Sequence, residues 1–96
     1  MAEKIKVRVT PRDYFKGVRG KADSCPIALA VKRATGDTNV FVADGSITRV
    51  KSKHSLAHAN ITMVPTRVTE FVNTFDRRGP WAVLSRHPFG FTVEVN

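Results

Sequence analysis

The sequence predicts an α+β fold: a single small domain in β-α-β-β-α-β order, for which a ferredoxin-like two-layer sandwich is the leading arrangement. Three observations predict it. Apolar residues alternate along a segment near each end of the chain, two helical apolar stripes lie between them, and Asp44-Gly45 marks a hairpin between the helices. At 96 residues the chain has the size of one domain, read as residues 1–96.

The first element is "KIKVRVT", residues 4–10. Ile5, Val7 and Val9 point one way, and Lys4, Lys6, Arg8 and Thr10 the other, as in a half-buried strand with a cationic outer face. Pro11 ends it, and "PRDYFKGVRGK" (11–21) reads as a basic loop with two aromatics. A helix follows in "DSCPIALAVKRATG". Asp23 or Ser24 is the expected N-cap, and Pro26 suits the first turn. Ile27, Ala30, Val31 and Ala34 share one face, Lys32 and Arg33 favour the negative end of the dipole, and Gly36 suits a left-handed cap.

"NVFVADGSITRV" reads as two strands about the Asp44-Gly45 turn. Residues 51–63, "KSKHSLAHANITM", have no firm period and read as a loop or a loose extension of the sheet. A second helix is expected from near Pro65 to about Arg78, with Val68, Phe71, Val72 and Phe75 as its stripe and Gly79 as its stop. "FGFTVEV" (89–95) closes the chain as a strand with Phe89, Phe91, Val93 and Val95 on one face.

Charge is the strongest global signal. Sixteen Lys and Arg stand against eight Asp and Glu, a net charge of +8. Residues 1–21 hold seven basic and two acidic side chains, whereas residues 22–48 hold two basic and three acidic ones. An excess so clustered favours a polyanionic partner: nucleic acid, an acidic protein surface or anionic lipid. One cysteine makes no internal disulfide, no signal-like run opens the chain, and no apolar window approaches a membrane span. These features predict a cytoplasmic protein with no membrane partner.

The chemistry-bearing residues each carry a structural alternative. Cys25 stands at a helix start, where a thiol can be activated, but it adjoins Pro26 and an apolar stripe and is read as packing. His54 and His58 are spaced i, i+4, yet "HSLAH" lacks the acid of HExxH, so they read as solvated. "KGVRGK" has two residues between its glycines where a phosphate loop needs four. What remains is a basic loop in which Tyr14 and Phe15 lie among Arg12, Lys16, Arg19 and Lys21. Cations that hold phosphates beside rings that stack bases suit single-stranded nucleic acid; the alternative buries one aromatic in the core. Lys51 and Lys53 extend the basic set, and Arg77, Arg78, Trp81 and Arg86 form a second patch with the profile of an interface anchor.

"RHPFGFTVEV" resembles the aromatic core of the RNA-recognition motif, with Phe89-Gly90-Phe91 matching its stacking pair. It departs by having Pro88 where the motif has glycine and by lying on the last strand, so Phe89 and Phe91 are read as core. The succession of "CPIALAVKRATG", a hairpin, "VPTRVTEFVNTFDRRG" and "PFGFTVEV" is similar to small accessory proteins of tailed phages. That resemblance implies an accessory role in the host cytoplasm, including modulation of a host or defence machine, and no chemistry.

The expectation is therefore a non-enzymatic binding protein without a cofactor or metal, engaging nucleic acid or a nucleic-acid-handling complex. The alternative is a protein-binding or virion structural module that acts through homo-oligomerisation or an acidic partner. A small cysteine-dependent enzyme is the third reading.

Overall fold

A computed structural model describes residues 3–36, 39–43, 45–50 and 60–95. Strand β1 (Glu3–Val9) pairs antiparallel with β5 (Phe89–Val95), setting Val7 opposite Phe91 and Val9 opposite Phe89. Strands β2 (Asn39–Ala43), β3 (Ser46–Val50) and β4 (Asn60–Met63) form a second antiparallel sheet in that order. The α+β class holds. A single ferredoxin-like sheet is not confirmed: the β2–β3 hairpin is extended by β4, while β1 is hydrogen-bonded to β5 in a separate ribbon.

Among the described residues four helices connect these strands: α1 (Pro11–Lys16), α2 (Pro26–Thr35), α3 (Thr66–Arg78) and α4 (Pro80–Leu84). Helix α2 packs against both β1 and β2 and so bridges the sheets. The Val42 N–H donates to the Ala22 carbonyl at 2.9 Å, which ties β2 to the segment before α2. Val7, Val9, Tyr14, Ile27, Val31, Val40, Ile47, Phe71, Phe75 and Phe91 all contribute to one buried cluster. No helix among the described residues is long and apolar enough to cross a membrane.

Several local expectations need correction. Residues 11–16 are helical, not loop, because "TPRD" is a capping box. The Thr10 hydroxyl accepts from the Asp13 N–H, while the Asp13 carboxylate accepts from the Thr10 N–H at 2.9 Å. The N-cap of α2 is Cys25 itself, whose sulfur accepts from the Ala28 N–H at 3.5 Å; Asp23 and Ser24 stand too early. Its buried face is Ile27, Ala28, Ala30 and Val31, and Ala34 is exposed, because contact with both sheets covers the first two turns broadly.

The stripe of α3 packs as expected, with Val68, Phe71 and Phe75 buried and Val72 partly so. Gly79 donates to the Phe75 carbonyl at 2.8 Å and has φ 86°, which lets the chain turn directly into α4.

Candidate basic interaction face

The two basic segments meet because Arg19 reaches across the fold. Its Nε and Nη2 donate to the Asp76 carbonyl at 3.0 and 2.8 Å, and Nη2 also donates to the Arg77 carbonyl at 2.6 Å. The Gly20 N–H adds a bond to the Asp76 carboxylate at 3.0 Å. Carbonyls in the last turn of a helix have no partner within it, and here a cation supplies one at the negative pole of the dipole. Arg19 is thus a structural clamp. Its Nε and Nη2 are committed to carbonyls, a role that the sequence reading of Arg19 as a binding cation did not include.

The clamp sets α1 beside α4. Phe15 and Trp81 form an edge-to-face pair with ring centroids 5.1 Å apart. Both rings stay open to solvent, at 48% and 74% exposure. Arg12 and Lys16 share the helix surface around Phe15 through i+3 and i+4 spacing, and both are exposed. On the far side of Trp81 a groove of about 760 Å³ runs between α3 and α4, lined by Asn73, Arg77, Arg78, Ser85 and Arg86. No acidic side chain lines it. Arg77 and Arg78 follow from the basic last turn of α3, and Pro80 starts α4 so that Trp81 projects at once.

Tyr14 leaves the predicted set. It is fully buried, its ring lies 5.6 Å from Phe71, and its hydroxyl donates to the Val9 carbonyl at 3.2 Å. Burial pushes the phenol pKa up, and the neighbouring Asp13 carboxylate adds to this. The capping box fixes which aromatic faces inward: Tyr14 enters the core and Phe15 remains outside. That pattern was legible in "TPRDYF", once read as a helix start.

Lys21 is exposed in the turn that follows the clamp. Lys51, Lys53, His54 and His58 lie outside the described residues. Phe91 is buried and Phe89 packs on Phe71 at 4.5 Å beneath the Arg67 guanidinium, so this pair belongs to the core.

Cys25 is 3% exposed. Burial pushes its thiol pKa up despite the nearby Ala28 and Ile27 N–H groups, opposite to the activation a helix start can give. Its sulfur caps α2 and packs in the core.

Behind the face, Asp13 and Arg33 form a two-pronged ion pair, both contacts 2.8 Å. Burial pushes the Asp13 carboxyl up, but Arg33 and Thr10 outweigh it and hold the group below its usual value. Arg33 also donates to the Arg8 carbonyl at 2.7 Å, joining α2 to β1.

The fold and this face define a small α+β protein with a merged cationic and aromatic surface. No protein-family model, curated protein or solved structure matches the chain.

Proposed function

We propose that the chain is a non-enzymatic binding protein whose merged face engages single-stranded nucleic acid, alone or within a nucleic-acid-handling complex. One observation carries this reading: Phe15, flanked on α1 by Arg12 and Lys16, meets Trp81, which itself lines the groove with Arg77, Arg78 and Arg86, while Arg19 ties the segment after α1 to the end of α3. Arginines in an acid-free groove attract the phosphate backbone, and the exposed Trp81 and Phe15 rings offer faces and edges to unpaired bases. Binding would depend on charge and stacking, with little base readout. The protein would act in the cytoplasm, the host's if it serves a phage as the accessory-protein resemblance suggests.

Titration against single- and double-stranded DNA and RNA at two salt concentrations tests the proposal. The expected result is preference for single strands and a steep loss of affinity as salt rises. Absence of binding to all four at low salt would overturn it.

A second reading rests on the sheet formed by β2, β3 and β4. Phe41, Thr48 and Ile61 stand in register across it, and Phe41, Ile61 and Met63 are exposed. In this reading the chain is a protein-binding module that self-associates through that face. Sedimentation that depends on protein concentration and is abolished by Ile61→Lys would favour it.

A further inference from the structure

A second cationic cleft lies at the other end of α3, on residues outside the merged face. It has a volume of about 700 Å³ and is lined by Lys6, Arg8, Arg67, His87, Gly90 and Thr92 among others, none of them acidic. Lys6 and Arg8 stand two residues apart on the outer side of β1, a spacing of about 6.7 Å in a strand. Their cross-strand partners are Thr92 and Gly90. Opposite Arg8 there is therefore no side chain. A Cβ on Gly90 would come within 2.9 Å of the Val7 carbonyl oxygen, so the close approach of the two strands requires glycine there. Lys4 does not line the cleft.

The other cations enter from outside the ribbon. The Arg67 guanidinium lies over the Phe89 ring, 5.4 Å from its centroid, and donates to the Gly90 carbonyl. His87 is positioned from below: its Nδ1 lies 3.3 Å from the hydroxyl oxygen of Tyr14, which is itself anchored at the Val9 carbonyl. Asp13, the carboxylate nearest the end of β1 in sequence among the described residues, is bound by Arg33. Lys6 and Arg8 make no ion pair among the described residues.

We infer that the β1–β5 cleft is a phosphate-binding site held by Lys6 and Arg8, with the charge of Arg67 at its edge, reading phosphate groups and not bases. Base stacking is disfavoured at the two phenylalanines of the cleft, because Phe91 is buried and Phe89 already carries Arg67 and packs on Phe71. The phosphate can belong to a nucleic acid backbone or to a small phosphorylated molecule. Arg86 lines the α3–α4 groove and His87 lines this cleft, so the two meet at adjacent residues. A strand seated in the groove can continue into the cleft, but the cleft's affinity for phosphate does not depend on what the groove binds.

The experiment is a pair of amide NMR titrations of the labelled protein at low salt. One uses inorganic tripolyphosphate, the other a single-stranded oligomer of about twelve nucleotides, within the usual range of site sizes. Tripolyphosphate is expected to shift amides in residues 6–10 and 87–92. Its affinity should fall at least ~10-fold in Lys6→Gln/Arg8→Gln, two exposed changes whose native fold the same spectra check. Oligomer shifts at these amides identify the backbone as the source. Shifts with tripolyphosphate alone identify a small phosphorylated ligand, and failure of the groove reading is then seen separately as an oligomer that binds nowhere. The inference is overturned if neither probe moves these amides, or if the double variant binds tripolyphosphate as tightly as the parent.

Discussion

Asp13 closes the capping box of α1 and, with the same carboxylate, grips Arg33, whose other donor holds the Arg8 carbonyl. One side chain therefore joins the end of β1, the start of α1 and the last turn of α2. Its pKa lies below the ordinary 3.8, so the folded state holds the charged form more tightly than the unfolded chain does. The sign follows: the stabilisation is fully present above about 3.8 and is lost as pH falls through the lower folded value. Asp13→Asn should cost about 2 kcal/mol at neutral pH, because charge-assisted bonds become neutral ones. Urea unfolding at neutral and strongly acidic pH checks this; the gap between variant and parent should shrink in acid. At this scale the sequence was informative about Cys25, whose place before Pro26 and an apolar run matches its burial. It was less informative about Tyr14 and Phe15, since two adjacent aromatics cannot be sorted into inner and outer until the backbone between them is known to be helical.

The longer helices were legible because each carries a full apolar period, and the terminal strands because they alternate. Helices α1 and α4 are six and five residues long, too short for a repeating stripe, and only their caps and prolines announce them. Arg19 shows a different limit. A cation in a glycine-containing loop has the same local sequence whether it faces solvent or a helix end 57 residues away. Arg19→Ala should cost about 1–2 kcal/mol and loosen the last turn of α3. Hydrogen exchange should then speed up at the amides of residues 75–79 while those of α2 stay protected. Unchanged exchange at that turn would show that the clamp is not what holds it.

For the whole molecule, the α+β class was readable but the division into two sheets was not. Nothing local in "FGFTVEV" names residues 3–9 as its partner, and nothing in "NITM" says that it extends the hairpin. Those pairings are decided by how α2 covers both β1 and β2 and by the burial this makes available. The candidate face followed the same rule. Its cations were visible as two clusters, whereas their union depends on the Arg19 clamp and the Phe15–Trp81 contact. That union is the central claim, and it makes α3, with a basic groove at one end and a basic cleft at the other, the axis of the proposed binding surface.

Trp81 is the only tryptophan in the chain, so its emission reports on the face directly. The most direct measurement is a fluorescence titration with a single-stranded oligomer across a range of salt, for the parent and for Arg77→Gln/Arg78→Gln. Saturating oligomer should quench Trp81 in the parent, and log K should fall linearly with log salt. Losing two phosphate contacts should make that slope shallower by about 1.4 in the variant, at roughly 0.7 per contact on a single strand. Trp81 emission that ignores bound oligomer, or equal slopes in the two proteins, would contradict the account.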